Sequence, residues 1–370
     1  MKTKTKVILF AAIVVALAIG AYVFRKPTGV TSTTPIVVLI PETGPAAEYA
    51  RYSRMGFDLG VAAAKRQGLP NLELVYADTK SNPKDGLSAL QQALVSQKPV
   101  LVISLLSSVT KAIAPVMAEQ GVPVIANAVA APGLAKPEQG LFRVFPTSSE
   151  VSALACDRLK ELGRKSVVIV YVNDEYGLGC RTTFTEKAKE AGLEILASEP
   201  FEAVQKDFRT QWERLLSLKP DALFVAGYGP GYVAVLQQLT ERTFSGTIMT
   251  DFTLTAPPVL KTVPGLPEGT LVVAPKISDA FRSEAKRTFR DAAYFVNVAT
   301  AHDAILLAAE ASLLVSEGKA NSISEALKNA SNPKAALGVV SFNSIGDVVI
   351  PMEIVTLNAL RAELSKDKSQ

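Results

Sequence analysis

The chain has 370 residues, 48% of them hydrophobic and 20% charged, which is long enough for two real cores and too apolar for long disordered regions. Its formal charge of +4 becomes −1 once the five positive residues among the first 26 are set aside. With no basic stripe interleaved with aromatics, nucleic-acid binding is excluded, and two cysteines are too few for a disulfide scaffold or a zinc cluster.

At the N-terminus Lys2, Lys4 and Lys6 precede an uncharged apolar run over 7–24, followed by Arg25-Lys26. This is the basic and then apolar pattern of an export signal, and Ala18-Ile19-Gly20 supplies small residues of the kind a signal peptidase cuts after. A cleaved signal peptide over 1–26 is the favoured reading. The run is also just long enough to span a bilayer, so membrane anchoring through residues 7–24 is the alternative. No cysteine lies near it, which excludes a lipid anchor. Either way the remainder is exported, after a polar linker over 27–35.

Short aliphatic runs then alternate with helical patterns. Strands are expected at 36-IVVLI-40, 72-LELVY-76, 100-VLVIS-104 and 123-PVIAN-127, with helices near 48–66, 85–97 and 109–119. Asn82 and Pro83 mark the start of the second helix as N-cap and first helical residue, and Asp85 adds a first-turn carboxylate. Pro115 reads as a kink in the third helix or, preferably, as a residue near its true start. Near-continuous aliphatic strands between amphipathic helices indicate a parallel sheet covered on both faces.

The alternation restarts with strands at 166-SVVIVYV-172, 193-LEILAS-198, 222-ALFVAG-227 and 246-GTIMT-250, and helices near 179–191, 207–217 and 231–242. Phe208, Trp212, Leu215 and Leu216 form one core-facing stripe. Cys156 and Cys180 are expected in the first turns of helices flanking 166–172, either bridged or as two inert buried thiols. A strand at 270-TLVVAP-275, a helix near 293–316 and a final β pair at 337–342 and 348–356 follow. These are too few for a third domain, so they complete the first two, and the chain crosses between lobes more than once. The fold class is α/β, with two doubly wound parallel-sheet lobes facing an interlobe ligand cleft.

Catalytic signatures are missing: no Walker A loop, no G-x-S-x-G elbow and no H-E-x-x-H motif. His302, the single histidine, reads as a packed or surface residue of its helix. The 227-GYGPG-231 segment departs from a dinucleotide loop in spacing and reads as a strand-to-helix turn. In their place stand six strand-end segments: 43-TGPAAEY-49, the Ser107–Ser108–Thr110 stretch, 127-NAVAAPG-133, 173-NDEYGLG-179, 227-GYGPG-231 and 250-TDF-252. Together, with Tyr49, Tyr176 and Tyr228 among them, they read as a pocket.

The ordered set 39-LIPETGPAAEYARYSRMG-56, 78-DTKSNP-83, 103-ISLLSSVTKAIAPVMAEQGVPVI-125, 171-YVNDEYGLG-179 and 341-SFNSIGDVVIP-351 resembles the branched-chain amino-acid (Leu/Ile/Val)-binding family of periplasmic solute-binding proteins, the type I receptors of ABC importers. The resemblance runs from about Ile36 to Leu357. It implies crossovers near 145–148, 275–278 and 337–340, an N-terminal lobe of 36–146 plus 277–338, a C-terminal lobe of 147–276 plus 339–362, and a polar tail over 363–370.

The resemblance also implies an extracytoplasmic, non-enzymatic receptor in the periplasm, without metal or cofactor. It would capture an amino acid, amide or organic acid and present it to an ABC transporter membrane permease; the alternative is a membrane-tethered sensing domain of the same fold. By the same resemblance Ser107, with Ser108 beside it, holds a ligand carboxylate, and the Ala128–Val129–Ala130 loop offers the Ala128 carbonyl to an ammonium. Tyr176 and Tyr228 line the pocket, the alternative being packing between loop and core; Asp251 stands one residue from the family's ammonium-binding acid, the alternative being a turn cap; and Tyr49 sits at the rim. Ala130 replaces the hydroxyl residue usual in amino-acid binders, which argues against an ordinary α-amino acid.

Overall fold

The computed structural model describes residues 34–366. The expected signal or anchor, most of the linker and the end of the polar tail lie outside them. The first half folds as β1 (Thr34–Ile40), α1 (Ala47–Arg66), β2 (Leu72–Asp78), α2 (Pro83–Gln97), β3 (Leu101–Leu105), α3 (Ser107–Gln120), β4 (Val124–Asn127) and β5 (Leu141–Val144). Its strands form one parallel sheet in the order β2-β1-β3-β4-β5. Along β1, Ile36, Val38 and Ile40 pack into one buried cluster while Val37 and Leu39 pack into another. Both faces are covered, so the strand is aliphatic at every position from Ile36 to Ile40. Asn82 caps α2 by accepting from the Asp85 amide at 2.9 Å, with Pro83 at the first helical position.

The second half repeats the plan. It runs through α4 (Ser148–Glu161), β6 (Ser166–Val172), α5 (Glu175–Ala191), β7 (Glu194–Phe201), α6 (Arg209–Ser217), β8 (Ala222–Ala226), α7 (Gly229–Thr240), β9 (Thr247–Thr250), α8 (Pro257–Thr262) and β10 (Leu271–Pro275). The order β7-β6-β8-β9-β10 reproduces that of the first sheet. The chain then returns to the first sheet through α9 (Asp279–Thr288), α10 (Phe295–Ser316), α11 (Ile323–Asn329) and a hairpin of β11 (Ser331–Ala335) and β12 (Gly338–Ser341). It ends on the second sheet with β13 (Met352–Thr356), antiparallel to β10, and α12 (Leu357–Lys366).

Helix α10 is buried without interruption from Phe295 to Ala309, so it is apolar nearly all round. It packs against α1 across two glycines. A Cβ on Gly56 would stand 2.2 Å from the Val298 carbonyl oxygen, and one on Gly60 would stand 2.7 Å from that of His302. The helices therefore touch backbone to backbone. His302 Nδ1 lies 2.7 Å from the Asp303 carboxylate, which also accepts the amides of Ala336 and Leu337. The single histidine is a structural brace.

Several expectations need correction. Strand β5 and the first turns of α4 were not anticipated; α4 starts with a capping box in which Thr147 and Glu150 satisfy each other's amides. This moves Cys156 to the third turn of its helix, while Cys180 lies in the second turn of α5. Helix α3 begins at Ser107, and Pro115 is mid-helix rather than near its start. The final β pair is reduced to one antiparallel bridge, Phe342 with Val348, while β12 pairs with β11 and β13 with β10.

Residues 339–350, expected in the second lobe, stay with the first. Val340, Phe342, Val348 and Ile350 share a core with Phe142. Arg143 donates its amide to the Gly346 carbonyl and accepts from the Val348 amide, and its guanidinium grips Asp347 at 2.8 and 2.7 Å. The last crossing falls at Pro351, whose carbonyl accepts from the Lys276 amide of the preceding crossing.

Candidate ligand cleft

In each sheet the strand order reverses once, between β1 and β3 and between β6 and β8. The crevice beyond the carboxyl ends of such strands is where doubly wound folds bind ligands. Residues from both sheets line one pocket there, about 480 Å³ of empty space with its open mouth included. Its lining is mainly aromatic and aliphatic, with a few polar groups.

The first-sheet wall is built on the β3–α3 turn. Leu106 takes φ 72° and ψ 133°, a strained conformation for a branched residue, and no side chain caps the helix it introduces. The first-turn amides of α3 therefore have no side-chain cap and lie at the positive end of the helix. Ser107 lines the pocket and is buried; its Oγ accepts from the amides of Ala130 at 3.2 Å and Ala131 at 3.1 Å. A hydroxyl has two acceptor sites and one donor, so only the Ser107 O–H is left over. The loop it braces is held from behind by Arg143, which donates to the Ala131 carbonyl at 2.6 Å.

Ala128, in the left-handed region at φ 52°, and Ala130 both reach the lining. Ser108 is half-buried and Val129 fully buried, and neither is in the lining. Those two expected site residues are displaced by the helical and loop geometry, which turns successive side chains in different directions.

The second-sheet wall carries two carboxylates, Asp174 half-buried at the pocket and Asp251 fully buried behind it. Asp174 caps α5 with Oδ1, accepting from the Tyr176 and Gly177 amides at 2.9 and 3.0 Å; its Oδ2 accepts the Tyr228 hydroxyl at 2.6 Å. Burial pushes its carboxyl above the ordinary value. Asp251 is fully buried and lies outside the lining. It accepts from the amides of Gly227 and Thr253 and from the hydroxyls of Tyr176 and Tyr232.

Burial raises the Asp251 carboxyl from 3.8 to about 6, against the pull of those donors. Of the two readings of Asp251, ligand contact and turn cap, its side chain makes the turn cap through the Thr253 amide, and it also anchors Tyr176 and the 227 turn. Its neighbour Phe252 faces the pocket instead.

Tyr176, Tyr228 and Tyr49 all line the pocket as expected. Tyr49 also joins the two halves, its hydroxyl accepting from the Gly229 amide at 3.2 Å, while Lys111 on α3 pairs with Glu175 on α5 at 2.7 Å. Sequence reasoning missed Asp174, Phe145, Phe252, Tyr294 and Asn297. Asn297 donates to the Tyr49 carbonyl and to Ser53 Oγ, fixing the rim helix. The rings meet edge to face or tilted: Tyr49 lies 6.2 Å from Tyr228 and 5.5 Å from Tyr294, and Phe145 lies 5.4 Å from Phe252.

The cysteines play no part. Both are free and buried, and Ser152 Oγ on α4 donates to the Cys180 carbonyl. Cys180 is thus level with Ser152, a helical turn from Cys156, and the bridge left open in the sequence is not made. Burial pushes the Cys156 thiol up to about 11, so it stays protonated and inert.

Comparison with known proteins agrees with this architecture. A family model described as periplasmic binding protein matches residues 33–311. The Leu/Ile/Val-binding protein BraC3 of Rhizobium johnstonii is 26% identical over 329 residues, which are 85% of this chain and 88% of that protein. Among solved structures, a leucine-binding protein LivK from Thermotoga maritima superposes with a TM-score of 0.78 at 23% identity, covering 87% of this chain and 95% of that one. A solute-binding protein of an ABC transporter from R. palustris, in complex with benzoate, gives a TM-score of 0.79 at 18% identity, covering 88% and 93%.

Proposed function

The chain belongs to the periplasmic binding protein family, and we propose that it is the extracytoplasmic solute receptor of an ABC importer. It is exported through its N-terminal segment, captures a small carboxylate-bearing metabolite between its two halves, and presents the closed, loaded form to a membrane permease. The observation that carries this reading is the pairing of the uncapped α3 N-terminus with the leftover Ser107 hydroxyl in a pocket lined from both sheets. Helix-end amides and a charge-assisted O–H suit a carboxylate.

Closure removes water from these contacts and strengthens them. Binding rather than catalysis is supported by chemistry: Ser107 has no base within its network, and the one histidine is locked against Asp303. Relatives named for leucine, isoleucine and valine binding and a neighbour holding benzoate share this demand for a carboxylate.

A thermal-shift panel of small carboxylates tests the proposal, since a ligand at a hundredfold excess over its Kd stabilises by about 2.7 kcal/mol. At least one carboxylate is expected to raise the Tm saturably. A panel without a single such shift would contradict the receptor role. Sequencing the N-terminus of the exported protein separates the free receptor, which starts after residue 20, from a tethered one.

A further inference from the structure

We propose, building on the receptor reading, that the cleft takes an aromatic monocarboxylate carrying a ring hydroxyl remote from the carboxyl, in preference to an α-amino acid. Three observations combine. First, the acid expected to hold an ammonium does not reach the cleft. Asp251, the acid nearest to that role in sequence, is buried under Tyr176 with both oxygens committed to four donors, and Phe252 occupies the lining in its place.

Second, Asp174 is the only charged side chain in the lining among the described residues, and it is largely spent. Oδ1 serves two amides and Oδ2 serves Tyr228, leaving Oδ2 one acceptor site. An ammonium brings three donors; a phenolic hydroxyl brings one. Third, the pocket that Ser107 and Asp174 both line is walled by Tyr49, Phe145, Tyr176, Tyr228, Phe252 and Tyr294. These rings contact one another at 5.4 to 6.5 Å and present apolar edges and faces that complement a flat ring. The carboxylate then sits at Ser107 and the α3 amides, the ring lies among the aromatics, and the ring hydroxyl donates to Asp174 Oδ2.

Isothermal titration of the mature chain with 4-hydroxybenzoate, benzoate, L-leucine, L-phenylalanine and glycine betaine tests this. The expected order places 4-hydroxybenzoate first, benzoate about tenfold weaker for want of one hydrogen bond to a charged acceptor, and the amino acids about a hundredfold weaker or more. Asp174→Asn, which keeps a helix cap, is expected to erase the gap between the two benzoates while benzoate itself still binds. An amino acid or betaine binding tightest would overturn the proposal and leave the receptor reading standing. Binding of none of the five, with another carboxylate succeeding in the thermal panel, would also overturn it. Failure of both experiments would remove the receptor reading with it.

Discussion

Replacing Ser107 by alanine separates the two duties this hydroxyl carries. In the folded protein its Oγ is the acceptor for two buried amides, those of Ala130 and Ala131. Deleting it strands both donors at a site only 4% exposed. At about 1–3 kcal/mol for each buried group left without a partner, partly relieved by loop relaxation, the loss of stability should be about 2–3 kcal/mol. The O–H is a separate matter: one charge-assisted bond to a carboxylate is worth about 1.5–3 kcal/mol, so affinity should fall roughly 10- to 100-fold. Urea unfolding without ligand reads the first effect, and calorimetric titration at a temperature where the variant is folded reads the second. Ser108→Ala is the control, since Ser108 is outside the lining and should change either quantity by less than about 0.5 kcal/mol. A variant that loses stability but binds with wild-type affinity would refute the carboxylate-donor role.

Three further outcomes follow from the geometry. Gly56→Ala should destabilise by about 2 kcal/mol or more, because its methyl meets the fixed Val298 carbonyl oxygen at 2.2 Å and forces α1 away from α10; an unchanged urea midpoint would show that the two helices are not in backbone contact. Asp347→Asn leaves the buried Arg143 without its counter-charge and should cost about 3–5 kcal/mol, as read by the same unfolding assay. For Asp251, a folded-state value raised from 3.8 to about 6 means the native state holds the proton more tightly than the unfolded chain. Its contribution to stability is therefore fully present below about pH 4, falls by about 3 kcal/mol as pH rises to about 6, and then levels off. Comparing wild type with Asp251→Asn across that window isolates this group, and parallel pH profiles would contradict its burial as a carboxylate.

Much of the fold was legible because the signals are strong and local. Fully apolar runs such as 36–40 and 222–226 become strands covered on both faces, and Asn82-Pro83 starts a helix where capping chemistry requires. Strand β5 was not legible: 141-LFRV-144 has four residues, and its buried Arg143 looks polar until Asp347 arrives from two hundred residues away. The start of α4 carried a readable signal, the Thr147–Glu150 capping box, that went unused. The attachment of residues 339–350 to the first half is not legible in the sequence, because the hydrogen bonds that hold them to β5 are irregular and non-local.

The site divides in the same way. Ser107, Tyr176 and Tyr228 follow strands directly and could be placed from the chain order. Tyr294 and Asn297 could not, because α10 joins the cleft only after the chain has crossed back from the second sheet. At 251–252 a single residue decides the chemistry: a turn capped by Asp251 buries the acid behind the pocket and puts Phe252 in its lining. Sequence alone identifies the loop but not which of its two residues faces in.

The central claim is that the ligand's carboxylate is bound at the start of α3, between the two halves. A crystal structure with the carboxylate that gives the largest thermal shift tests it most directly. Carboxylate oxygens are expected within hydrogen-bond distance of Ser107 Oγ and the first-turn amides of α3, with the remainder of the ligand among the tyrosines of both walls. A ligand bound outside this cleft, or seated in it with its carboxylate turned away from Ser107, would contradict the account.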